Sequence, residues 1–194
     1  MMADRDVMPI PGWSRVEARA ATIWLPESWF GGDPKRDKRS IGERAKTLGP
    51  AFQGAAEGLG RNPGSANVSQ ALIAIDSKSH STFLVVNVER LSLLRRGGTL
   101  EQYVKTGLTG LPKNIRVLEK GIVLLDGIEA GRTLVEISDM GAFGKVGSVL
   151  NNSLQFNIKG NGVFWNLTYS VAPGELGSHL PIFDQSVRTF RFDP

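Results

Sequence analysis

Leu154-Gln155-Phe156-Asn157-Ile158-Lys159-Gly160-Asn161-Gly162-Val163-Phe164-Trp165-Asn166-Leu167-Thr168-Tyr169-Ser170-Val171 is the run whose reading decides the fold. On its first limb Leu154, Phe156 and Ile158 alternate with Gln155, Asn157 and Lys159. On its second, Val163, Trp165, Leu167, Tyr169 and Val171 alternate with Phe164, Asn166, Thr168 and Ser170. A period of two marks strands with one face against a core, and the Gly/Asn junction marks a hairpin. A two-residue turn at Gly160-Asn161, with Gly160 suited to the first central position of a type II′ turn, sets Ile158 opposite Val163, Phe156 opposite Trp165 and Leu154 opposite Leu167. Every such pair is apolar and on one face. A three-residue loop would oppose Phe156 to Asn166, so pattern and turn chemistry favour the same register.

Downstream of the hairpin, residues 173–187 carry Leu176, Leu180, Phe183 and Val187 at helical spacing, and Phe190 and Phe192 flank Arg191 as a short terminal strand. Upstream, residues 115–118, 121–125 and 128–137 read as strands, the last two joined by Asp126-Gly127 as a type I′ turn. Before them Thr99-Leu100-Glu101-Gln102 forms a capping box, followed by Leu100, Val104, Leu108 and Leu111 on one helical face and by Gly110 and Pro112 as stops. Residues 72–75 and 82–89 read as strands. From Phe83 to Val88 the second is apolar on both parities except at Asn87, as expected of a strand covered on both faces.

Nearer the N-terminus, Ser40-Ile41-Gly42-Glu43 has capping-box spacing. Ile41, Ala45, Leu48, Phe52 and Leu59 share a helical face that Gly49-Pro50 kinks or divides. Residues 13–18 and 22–25 read as strands, the second ended by Pro26. Residues 27–34 then read as a loop with two exposed-looking aromatics, Trp29 and Phe30. The order is two strands, helix, strands, helix, a run of hairpins, helix and a short strand. The fold class is therefore α+β, with a central, mainly antiparallel sheet and helices on both faces.

Composition narrows the functional classes. A chain of 194 residues suits one domain, here residues 13–194 after an N-terminal tail of residues 1–12. No run approaches the ~18 apolar residues of a membrane-crossing helix, and residues 1–11 show no apolar signal-peptide core. The sequence as it stands predicts a cytoplasmic protein, with a mature exported form whose leader has been removed as the alternative. With no cysteine there are no disulfides, thiolate metal sites or cysteine nucleophiles. A net charge of +4 comes with one dense basic run, Lys35-Arg36-Asp37-Lys38-Arg39, which is interrupted by an acid. It reads as a solvated loop, or as a docking patch for an acidic partner or an anionic membrane surface. No basic stripe of the nucleic-acid-binding kind accompanies it, so no nucleic acid is expected.

Several stretches resemble the PsbP-like superfamily. They are Leu25-Pro26-Glu27-Ser28-Trp29 at the end of an apolar strand, Gly127-Ile128-Glu129-Ala130-Gly131-Arg132 at a hairpin, and Trp165-Asn166-Leu167-Thr168-Tyr169-Ser170 leading to Phe183-Asp184-Gln185-Ser186-Val187-Arg188-Thr189-Phe190-Arg191. Their order and spacing carry the likeness. That superfamily includes an extrinsic photosystem II protein, a Ran-binding import factor and LpqN- and DcrB-type lipoproteins. The resemblance implies an antiparallel sheet sandwiched by helices, no shared chemistry and no cofactor. It implies a non-catalytic accessory or adaptor protein that binds another protein, with peripheral membrane association or a membrane-associated complex such as a photosystem as one setting.

The residues themselves offer little chemistry. His80 lies in a polar turn and His179 at the start of a helix; neither sits in a zinc-protease pattern, and there is no nucleophile elbow. Gly141-Ala142-Phe143-Gly144-Lys145 lacks the spacing and hydroxyl of a phosphate loop. Asp126, Glu129, Glu136 and Asp139 surround one hairpin. They read as surface charge, and a hydrolase would require Glu129, Glu136 or Asp139 to converge with a histidine. A small-ligand carrier with a pocket between sheet and helices is the alternative to protein binding. For a partner site the candidates are Trp29 and Phe30 with Lys35, Arg36, Lys38 and Arg39, because interfaces favour Trp and Arg; the plainer reading folds Trp29 back onto the core.

Overall fold

Ten strands and three helices follow one another in the computed structural model, which describes residues 9–18, 20–48, 67–79, 81–90, 98–140, 146–160 and 162–192. In chain order they are β1 (Trp13–Ala18), β2 (Ala21–Pro26), β3 (Trp29–Gly32), α1 (Lys38–Thr47), β4 (Val68–Asp76), β5 (Phe83–Arg90), α2 (Leu100–Gly107), β6 (Ile115–Leu125), β7 (Ile128–Met140), β8 (Val146–Gly160), β9 (Val163–Val171), a 3-10 turn (Pro173–Glu175), α3 (Leu176–Arg188) and β10 (Arg191–Phe192). A seven-stranded sheet has the order β3-β4-β5-β9-β8-β7-β6, and every pairing in it is antiparallel. A small sheet, β1-β2-β10, lies apart from it.

The sheet is covered on both faces, as the two-sided pattern of residues 83–88 requires. Leu84 and Val86 of β5 enter the main core with Leu154, Phe156, Trp165, Leu167 and Tyr169; the small sheet adds Ile23 and Leu25, and α3 adds Phe183 and Val187. Phe83 and Val85 point the other way, against α1, through Ile41 and Ala45. On that second face α2 packs further along, with Leu100 and Tyr103 against Phe164. The α+β architecture with helices on both faces is the one the sequence predicts.

The central hairpin differs from expectation by two residues. Ile158 pairs with Trp165, Phe156 with Leu167 and Leu154 with Tyr169, and the strands run up to the pair Gly160–Val163. The strands close at Gly160–Val163, beyond the expected turn, and Gly162 has φ 77°; Asn161 lies outside the described residues. A shift of two keeps every side chain on its face, so the apolar pattern is equally satisfied by both registers. Gly160 serves packing instead, since a Cβ there would lie 2.5 Å from the Phe192 ring.

Other boundaries move as well. Residues 115–125 form one strand with a bulge between Val117 and Glu119, not two strands. β8 begins eight residues before Leu154. The Asp126-Gly127 turn has positive φ at both residues, 49° and 91°, as a type I′ turn needs. The capping box at Thr99 forms: its hydroxyl accepts the Gln102 amide and the Gln102 side chain accepts the Thr99 amide. The one expected at Ser40 and Glu43 does not. α1 starts earlier, Ser40 Oγ donates to the Asp37 carbonyl at 2.9 Å, and Glu43 pairs with Arg39. The expected continuation through Phe52 and Leu59, His80 and residues 141–145 lie outside the described residues.

Candidate functional site

Trp29 and Phe30 are not in an exposed loop. They belong to β3, which pairs with β4, and are 3% and 5% exposed. Adjacent strand residues face opposite ways, so Trp29 enters the main core edge-on to Phe183 at 6.5 Å, while Phe30 lies beneath α1 with the Arg44 guanidinium 4.2 Å above its ring. The local cause is Gly31, where a Cβ would stand 2.1 Å from the Ile73 carbonyl oxygen; only glycine lets β3 lie this close to β4. As anchors for a partner these two aromatics are inaccessible.

The basic run is exposed and partly neutralised by itself. Arg36 forms a fork with Asp37, Nε to Oδ1 and Nη2 to Oδ2, both at 2.8 Å. That pair raises the arginine pKa and lowers the Asp37 pKa. Asp37 Oδ2 also accepts the Asp33 amide at 2.9 Å, and Asp33 Oδ1 accepts the Lys35 amide at 2.8 Å. Arg39 pairs with Glu43 at 2.9 Å. Of the four basic side chains, Lys35 and Lys38 alone lack an acid among the described residues.

A cluster of polar and titratable groups joins the β4–β5 hairpin to the start of α3. Asp76, 5% exposed, faces His179 Nε2 at 3.6 Å and accepts the Lys78 amide at 3.0 Å. His179 Nδ1 lies 2.9 Å from the Glu175 carbonyl. Ser79 Oγ and Thr82 Oγ1 are 2.7 Å apart, and both reach the Glu175 carboxylate. This arrangement contains Asp, His and Ser but cannot act as a triad. Nε2 faces the Asp76 carboxylate, Nδ1 lies against the Glu175 carbonyl, to which the neighbouring Ser178 Oγ also donates at 2.9 Å, and Ser79 is held by Glu175. Glu136 pairs with Arg116 at 2.9 Å and Asp126 with Arg188 at 3.2 Å, while Asp139 Oδ1 is buried without a hydrogen-bond partner among the described residues; the acid that His179 meets is Asp76. Among the described residues no three or more His, Asp and Glu side chains are grouped so that they could hold a metal ion.

Between the main sheet and α3, where a carrier would hold its ligand, side chains are packed in contact. Tyr169 stacks on Phe183 at 4.5 Å and meets Phe156 edge-on at 6.3 Å. On the opposite face, Asn157 Nδ2 donates to Asn166 Oδ1 at 2.6 Å, Asn166 Nδ2 reaches Tyr103 Oη at 3.2 Å, and Tyr103 donates to Glu89. Tyr103 also stacks on Phe164 at 3.7 Å, docking α2 over these asparagines.

The surface left open is the free edge of the seven-stranded sheet. β6 is eleven residues long, pairs only with β7 among the described residues, and is exposed at Arg116 through Ile122 and at Leu124. The large apolar side chains exposed among the described residues are Val117, Leu118, Ile122 and Leu124 on β6, with Met140, Val146 and Leu150 at the far end of the β7–β8 hairpin. The register sorts β6 into two faces. Glu119 and Val123 pair with the buried Leu134 and Ala130, so they face the main core side; Val117, Lys120, Ile122 and Leu124 face the side that α2 covers. Sequence reading did not single out this edge. Its signal was the length of the run from Ile115 to Leu125 once Leu118 is read as a bulge and residues 119–120 as strand instead of a break.

Among solved structures the chain is similar to the solution structure of cyanobacterial PsbP (CyanoP) from Synechocystis, with a TM-score of 0.59, 13% identity and 96% of each chain covered. It is also similar to the Saccharomyces cerevisiae Ran-binding protein Mog1p, with a TM-score of 0.50, 14% identity, 93% of this chain and 95% of that one. No family model matches the chain, and no curated protein is similar to it in sequence. At such identities the likeness establishes the fold, which is PsbP-like.

Proposed function

We propose that this PsbP-like domain is a non-catalytic accessory protein that binds another protein through the β6 edge of its main sheet. The observation that carries the reading is an eleven-residue edge strand whose apolar side chains are in water, Leu124 at 62% and Ile122 at 42% exposure. An unpaired strand edge presents a row of backbone donors and acceptors, and apolar side chains beside it add burial when a partner closes over them. The polar clusters fit this reading, because their hydroxyls, carboxylates and imidazole are engaged with one another or with backbone. Packing of Tyr169, Phe156 and Phe183 weighs against the small-ligand alternative in the space beneath α3.

The test is affinity capture from soluble and membrane fractions of the source organism. The wild-type chain is expected to retain one stoichiometric protein, and the double variant Ile122→Lys/Leu124→Lys is expected to lose it. Lys35→Glu/Lys38→Glu is expected to keep it. Loss with the second variant and retention with the first would move the site to the basic turn before α1.

A further inference from the structure

We infer that the β6 edge accepts an extended peptide segment as an eighth strand, and that Lys120 selects a segment carrying a carboxylate among alternating apolar residues. This inference rests on the β6 reading above and names the chemistry of the partner. The charges of β6 divide by face. On the core side Arg116 pairs with Glu136, and Glu119 pairs with Arg132, whose Nε is also 3.7 Å from Asp184. On the α2 side Lys120 is exposed, has no acidic partner among the described residues, and sits between Val117 and Ile122. A lone ammonium within an apolar row is complementary to a carboxylate flanked by apolar side chains at alternate positions, since directly opposite residues of paired strands share a face.

The same geometry disfavours a second copy of this chain. The α2-side residues of β6 are Ile115, Val117, Lys120, Ile122 and Leu124, and none is acidic. Any pairing of two β6 strands that keeps faces aligned therefore sets Lys120 against an apolar residue or another Lys120. Glu119 cannot serve, because it points to the other face. The bulge at residues 117–119 adds to this, as bulges and lysines are the usual guards of exposed edges. Lys120 thus discourages self-pairing and favours an acid-bearing strand of another protein.

The experiment titrates the full 15N-labelled chain with synthetic peptides of about nine residues, a typical strand length or slightly more. One peptide alternates valine and threonine with a glutamate replacing a central valine; a second has lysine at that position; a third has proline in the middle of the glutamate peptide. The glutamate peptide is expected to shift backbone resonances of residues 115–125 and to bind roughly tenfold more tightly than the lysine peptide, as attraction replaces repulsion across one strand pair. The proline peptide is expected not to bind, because it lacks a ladder donor. In Lys120→Glu the preference reverses. Equal affinity for the glutamate and lysine peptides, shifts away from β6, or protection of β6 by anionic phosphatidylglycerol vesicles without peptide binding would overturn the inference. If capture from the organism still depends on Ile122 and Leu124 while these peptides fail, strand addition falls and the β6 interface stands. If neither depends on β6, both fall.

Discussion

Tyr169 shows what one buried residue contributes. Its ring is closed in by Phe183 and Phe156, and its hydroxyl lies 2.6 Å from Ser186 Oγ on α3. Burial pushes the phenol pKa up from 10.0; the Ser186 hydrogen bond opposes this and the charge of Asp184 adds to it. In the unfolded chain the phenol ionises near its ordinary value, while in the fold it keeps its proton. Its contribution is complete below that value and is lost as pH rises above it. Tyr169→Phe is expected to cost about 1 kcal/mol at neutral pH through the lost hydrogen bond, and to show a shallower loss of stability above about pH 10 than the wild type. Urea unfolding of both proteins at neutral and alkaline pH tests this, and parallel declines would contradict it. The alternating pattern placed Tyr169 in the core but could not reveal Ser186. The same alternation set Asn157 and Asn166 on the face opposite the apolar row but could not reveal that Tyr103 covers them, a contact no local pattern encodes. Trp29 does fold back onto the core, but the segment around it was misread as a loop for a different reason. Gly31-Gly32-Asp33-Pro34 has turn composition, but Gly31 is needed for close approach to Ile73, so the glycine marks a strand.

At the scale of elements, legibility followed how local the determining interaction is. The Thr99 cap is closed within four residues and was read correctly; so was the Asp126-Gly127 turn, fixed by two backbone dihedrals. The cap of α1 was misplaced because Asp37 stands at the helix start with its carboxylate committed to Arg36 and the Asp33 amide, which sequence spacing does not show. The hairpin register was misplaced by two residues because period-two patterns repeat; Phe192, brought in by the terminal strand, explains why Gly160 must be glycine although it lies outside the turn. α2 offers an element-level test. It is eight residues long, too short to persist without its cap and its packing. Val104 fills the space above Gly131, where a Cβ would come within 2.3 Å of the valine methyl. Thr99→Ala is expected to cost α2 about 1 kcal/mol, seen as about fivefold faster amide exchange in residues 100–107 with the β9 amides little changed. Uniform acceleration across the sheet would mean that α2 opens only with the whole fold.

For the whole molecule the two edges of the main sheet are built differently, and on the proposed reading it is the β6 edge that a partner meets. β3 is four residues long, carries buried side chains and is followed by Pro34, so it offers little to an incoming strand. β6 is nearly three times as long and exposed along most of its length. The candidate site was illegible at this scale, because an edge exists only once strand order is known, and strand order depends on pairings such as β5 with β9 that join distant parts of the chain. What keeps such an edge from pairing with itself is then the bulge and Lys120. Removing the charge leaves Val117, a valine at 120, Ile122 and Leu124 as a continuous apolar row on one side of an unpaired strand. Lys120→Val is therefore expected to self-associate, its light-scattering mass rising with concentration over a range in which the wild-type mass stays constant. Lys120→Arg, which keeps the charge, is expected to behave as the wild type. Adding Ile122→Lys to Lys120→Val should restore the original behaviour, since a charge at either position interrupts the row. Identical mass profiles for the wild type and Lys120→Val would show that backbone geometry alone, through the bulge, guards the edge.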